Sequence, residues 1–139
     1  MLTEIINGER KFKTNLDLTK LSFKDTLFQI LKEMDFLHLG DYEDGVIDGT
    51  VFTKGKMLVH MQKIYSDNET FFLEKEGEYV LGIKPSIKNY YSVILYEQKE
   101  NIRRPRDSAK NISLQKTYDN LFNFLRASYL DTKFSLIKE

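Results

Sequence analysis

Histidine occurs twice in the chain, as His38 and His60, and neither sits in a short metal-ligand spacing such as H-E-x-x-H. On a strand, His60 falls opposite the side shared by Met57, Val59 and Met61, so the expectation is a partly exposed surface histidine. A general base would need a second group converging on it in space. Asp48-Gly49-Thr50-Val51 contains the Asp-Gly-Thr of the aspartyl phosphatase signature, but the nucleophile position two residues earlier is Val46, which forms no acyl phosphate. A turn or strand edge is the simpler reading.

Asp41, Glu43, Asp44 and Asp48 form the densest acidic patch. A calcium loop of the EF-hand type needs oxygen ligands at fixed alternating positions, and Val46 stands where one is required. The expectation is therefore a solvated acidic loop that offers a partner-binding surface, with no metal. Glu74-Lys75-Glu76 reverses the E-x-K order of metal-dependent nucleases and runs into Gly77, so it reads as charges flanking a turn. The seven glycines are scattered and form no phosphate-binding loop. Without cysteine there is no disulfide, thiolate metal site or thiol nucleophile. No catalytic residue and no cofactor are predicted.

Charge partition is the least random feature. Basic and acidic residues balance at 21 each, yet residues 31–50 hold one basic and six acidic residues. Residues 84–116 hold eight basic and three acidic ones, and three of the five arginines fall within Arg103-Arg104-Pro105-Arg106. Lys84, Lys88, Arg103, Arg104, Arg106 and Lys110 make a candidate basic patch, with Tyr90, Tyr91 and Tyr96 nearby as stacking faces. Guanidinium forks suit phosphate and carboxylate recognition. The plainer alternative is a solvated basic connection, or one that pairs with the chain's own acidic loop. Zero net charge counts against dedicated nucleic-acid binding.

The elements that must position these groups are marked by periodicity. Phe23, Leu27, Ile30, Leu31 and Met34 recur at helical spacing behind a capping Ser22 and a first-turn Asp25, predicting a helix over about 22–36 with Gly40 as its stop. From Val46 to Gln98 the period shortens to near two. Val46–Thr53, Lys56–Tyr65, Thr70–Lys75, Glu78–Lys84 and Asn89–Gln98 read as strands, and the short gaps between them demand antiparallel neighbours. The last strand is apolar on both faces, which predicts a central or covered position. Leu114, Tyr118, Leu121, Phe122, Leu125 and Tyr129 predict a second helix over about 112–130, capped by Asn111 or Ser113. Two further short segments are weaker strand signals: a hairpin around Asn7-Gly8 and the stretch Lys133–Ile137.

The fold class that follows is α+β: one domain over residues 1–139, with a mostly antiparallel meander of five to seven strands between two helices. At 139 residues and 41% hydrophobic content, the chain buries roughly two thirds of its unfolded surface without staples. No signal peptide or membrane span is legible. Lack of cysteine favours a reducing, cytoplasmic setting. Only Ala109 and Ala127 represent alanine, and the abundant residues have AT-rich codons, as expected of a low-GC bacterium or a phage.

The first functional expectation is a non-enzymatic protein-binding accessory or inhibitory module, of immunity or anti-defence type, with another protein as partner. The alternative is nucleic-acid binding through the basic 84–116 segment. The third is an enzyme whose site assembles from distant residues.

Overall fold

The computed structural model describes residues 3–6, 9–12, 22–64, 70–75, 78–87, 89–130 and 134–139; for 3–6, 9–12 and 128–130 it describes the backbone alone. Strands β1 (Thr3–Ile6) and β2 (Glu9–Phe12) pair antiparallel, with Ile6 opposite Glu9. The intervening Asn7-Gly8, the predicted turn, lies outside the described residues, as do Lys88 and Lys133.

Helix α1 (Phe23–Glu33) begins where the sequence predicts: the Asp25 amide donates to Ser22 Oγ at 3.1 Å, satisfying an otherwise orphan donor. It ends earlier than Gly40. Asp35 adopts a left-handed φ of 65°, the Asp35 amide donates to the Lys32 carbonyl, and the Phe36 amide donates to the Leu31 carbonyl at 2.9 Å. This pair of bonds is a Schellman closure, normally built on glycine. Aspartate performs it here, which frees the next residues for a strand.

Seven strands then form one antiparallel sheet in simple chain order: β3 (Leu37–Asp44), β4 (Ile47–Lys54), β5 (Met57–Ile64), β6 (Thr70–Lys75), β7 (Tyr79–Pro85), β8 (Tyr91–Lys99) and β9 (Ile102–Ile112). The five strands from β4 to β8 match the alternation within a residue or two. The sheet also contains two strands that the pattern hides. Residues 41–44, expected as an acidic loop, are the second half of β3. Residues 102–112, expected as a basic connection, are the whole of β9. Their hairpin turn is Glu100-Asn101, both at positive φ (52° and 66°), with Lys99 opposite Ile102. That is the backbone of a type I′ turn without the usual Asn-Gly signature.

Helix α2 (Leu114–Leu130) follows. Ser113 starts it, accepting from the Lys116 amide at 3.2 Å, while Asn111, at φ 53°, stays in β9 and meets Ser86. Both helices cover one face of the sheet. Leu27, Ile30 and Leu31 of α1 and Tyr118, Leu121 and Leu125 of α2 join Val59, Met61, Leu73, Leu81, Ile83, Val93 and Leu95 in one buried cluster. Each such aliphatic side chain contributes about 1.5–3 kcal/mol when fully buried. Phe23 ties the layers together, 5.1 Å from Phe71 and stacked at 5.6 Å on Tyr91 and on Tyr118. Tyr91 is therefore core, not an available stacking face. Burial pushes the Tyr118 phenol up to about 12, partly offset by its hydrogen bond with Thr26.

Helix α2 is buried well beyond its apolar stripe: Thr117, Asp119 and Asn120 are at most 1% exposed. Strand β2 packs against the helix, and so does the chain that follows the helix. Residues 134–139 form no regular strand, but they run back along α2. The Asn120 amide donates to the Ile137 carbonyl at 3.0 Å, and its oxygen accepts from the Ile137 amide at 2.7 Å. One side chain thus imitates a strand neighbour. No described helix is long and apolar enough to cross a membrane.

Candidate functional site

The sheet order decides where the two charge patches lie. β3 is one edge of the seven-stranded sheet and β9 is the other. Six inter-strand steps separate them, about 29 Å along the sheet at the usual spacing. The acidic β3 edge and the basic β9 edge therefore lie on opposite sides of the sheet, and Arg103 and Arg106 take their carboxylates from Glu74 and Glu97 instead of from the acidic segment.

The acidic edge combines charge with exposed apolar surface. Asp41, Glu43 and Asp44 are exposed, and Leu37, Leu39 and Val46 on the same edge and turn are 68%, 60% and 54% exposed. Glu43 stands directly opposite Asp48 in the ladder, a like-charge pair that destabilises the hairpin, and Asp48 in turn faces Lys63 of β5. His38 Nε2 lies 3.0 Å from Asp41 Oδ1. That hydrogen bond, with a second from Thr50, holds the Asp41 carboxyl below its ordinary value. The His38 ring packs 5.2 Å from Phe52 and 5.9 Å from Phe28, which anchors the strand beside a β-bulge between His38 and Gly40.

The basic edge divides into engaged and outward-facing cations. Arg106 Nη1 is 3.0 Å from Glu97 and 3.3 Å from the Tyr79 hydroxyl. Arg103 Nε donates to Gln98 Oε1 at 2.8 Å, its Nη2 lies 3.6 Å from Glu74 Oε2, and its guanidinium sits 5.0 Å from the centre of the Phe72 ring. Gln98 completes the triangle by donating to Glu74 at 2.5 Å. Arg104 and Lys110 are exposed; Arg104 stands opposite Glu97 in the ladder, whose carboxylate is held by Arg106. Lys84 is exposed as well. Asp107 is held below its ordinary value by Lys138, then by the Leu136 and Ser108 amides.

The face of the sheet away from the helices is half-covered by its own side chains. Val51, His60, Glu74, Val80 and Tyr96 occupy successive ladder positions across five strands. Phe72 and Tyr96 crowd the glycine between them, with a Cβ at Gly82 meeting both rings at 3.2 Å. Val80 is wholly buried there. This cover explains the doubly apolar reading of β8, which lies one strand in from the edge rather than at the centre. His60 faces Glu74 across the ladder, but the Glu74 carboxylate is spent on Gln98 and Arg103. Tyr90 is exposed, before β8 begins.

Sequence reasoning missed Phe72, Glu74 and Gln98 as partners of Arg103. The signal was present: in a strand with buried Leu73, period two puts Phe72 and Glu74 together on the other face. No three His, Asp or Glu residues gather as a metal site among the described residues. The chain matches no protein-family model, no curated protein and no solved structure.

Proposed function

We propose that this chain is a non-enzymatic, protein-binding accessory or inhibitory module that engages its partner through the acidic edge of the sheet, β3 and the turn to β4. What carries the reading is the combination on one edge strand: exposed Leu37 and Leu39 beside exposed Asp41, Glu43 and Asp44. An edge strand offers unpaired backbone donors and acceptors, so an extended partner segment can add to it. Apolar side chains give such a contact its area, and the carboxylates select a basic partner and speed encounter.

The nucleic-acid alternative is weakened because two of its three arginines already hold carboxylates of the same chain. Binding of a labelled peptide of alternating lysine and valine, compared with labelled single- and double-stranded oligonucleotides, tests the choice. The expected result is peptide binding that is lost in a Glu43→Lys/Asp44→Lys chain, with no oligonucleotide binding. Salt-sensitive oligonucleotide binding that disappears in an Arg104→Ala/Lys110→Ala chain would instead make nucleic acid the partner. The type of system served, immunity or anti-defence, and a cytoplasmic setting remain part of the proposal.

A further inference from the structure

The two edges of the sheet are opposite in charge and unable to meet within one chain. β3 presents Asp41, Glu43 and Asp44 with Leu37 and Leu39; β9 presents Arg104 and Lys110 with Ile102, which is 57% exposed. Two copies can join edge to edge in three ways. Pairing β3 with β3 sets carboxylates against carboxylates, and pairing β9 with β9 sets cations against cations; like charges opposed across a ladder are destabilising. Pairing β9 with β3 alone opposes unlike charges, and it covers exposed apolar side chains on both strands.

We propose that a second copy of this chain docks its basic β9 edge on the acidic β3 edge, giving head-to-tail self-association. The inference rests on the reading of β3 as a docking edge and names its occupant. The contact repeats a heterologous interface, so an open assembly keeps one unused β3 edge at one end and one unused β9 edge at the other. It is also weak. Pro105 has no amide to donate, and β9 shifts register twice, between Tyr91 and Val93 and between Leu95 and Tyr96 of its neighbour. β3 carries its own bulge. These features shorten any ladder, leaving side-chain charge to carry much of the attraction.

Sedimentation of the full chain over a wide concentration range tests this. Average mass should rise with concentration in about 50 mM salt and fall back towards the monomer in about 500 mM, where screening acts over a few ångströms. A Glu43→Lys/Asp44→Lys chain and an Arg104→Glu/Lys110→Glu chain should each be monomeric alone. Mixed in equal amounts they should associate again, because the intact β9 edge of one meets the intact β3 edge of the other and the two charge-reversed edges are likewise opposite in sign. A wild-type chain that stays monomeric at every concentration, or oligomers indifferent to both pairs of substitutions, would overturn the proposal. Peptide binding at β3 by a monomeric wild-type chain would separate the two readings: self-association would fall and the docking edge would stand.

Discussion

Arg103 on β9 and Glu74 on β6 lie 3.6 Å apart although two strands, β8 and β7, stand between their own. The arginine lies across the open face of the sheet, over Phe72, and Gln98 bridges the gap. A side chain expected to reach outward for phosphate is instead a strap on the fold. Removing all three arginines of the 103–106 run therefore confounds binding with stability, whereas Arg104 and Lys110 can be changed without touching the strap.

For the strap itself, Arg103→Met and Glu74→Gln should each destabilise the chain by about 1 kcal/mol, since both side chains are partly exposed. The double variant should lose less than the sum. A double-mutant cycle in urea would read a coupling of about 0.5–1 kcal/mol; strict additivity would show the contact to be energetically idle.

The Asn120 side chain replaces a strand for Ile137. Asn120→Ala leaves the Ile137 amide and carbonyl without partners in a half-buried place, and should cost about 2 kcal/mol. Hydrogen exchange at the Ile137 amide should accelerate more than exchange in β5 or β6. Equal acceleration everywhere would mean that residues 134–139 do not open separately.

Acid should loosen the same segment. Asp107 accepts from the Leu136 amide and pairs with Lys138, and the Glu139 side chain, lowered chiefly by its hydrogen bonds with Ser113, accepts from the Ser113 amide. Both carboxyls sit below their ordinary values when folded, so their contribution is complete above about pH 4–5 and declines as pH falls through the lowered values. Proton resonances of Leu136 and Ile137 should shift in that acid range before the sheet unfolds. A Glu139→Gln chain should show a smaller shift; an unchanged profile in Asp107→Asn would refute the assignment.

The close of α1 offers a stabilising change. Asp35 holds a left-handed φ of 65° on an exposed position, a conformation that costs a β-carbon about 1 kcal/mol and glycine nothing. Asp35→Gly should raise stability by about 0.5–1 kcal/mol in urea unfolding.

At Gly49 the expected effect is opposite. The Tyr42 ring stands where a β-carbon would project, with its Cζ in the way, and the Tyr42 hydroxyl accepts from Gln62 at 2.8 Å. Gly49→Ala should displace the ring, break that bond and cost about 1–2 kcal/mol. The loss should shrink when Tyr42→Ser is added; an undiminished loss would place the strain in the backbone.

Local chemistry sufficed for much of this architecture. The apolar stripes of α1 and α2, the Ser22 cap and the alternation from β4 to β8 are each decided by side chains a few residues apart, so they are readable along the chain. β3 and β9 are not. Their charged residues suppress the apolar alternation because edge strands have a neighbour on one side only, and the turn that leads into β9 takes its left-handed backbone from Glu100 and Asn101 instead of glycine. Asp35, likewise, ends α1 in a conformation that its residue type does not announce. The charge imbalance of residues 31–50 and 84–116 was visible in the sequence, but its meaning was not. Only the order of the strands could separate the acidic and basic patches by the width of the sheet, and only packing across strands could turn Arg103 inward while leaving Arg104 and Lys110 to face outward.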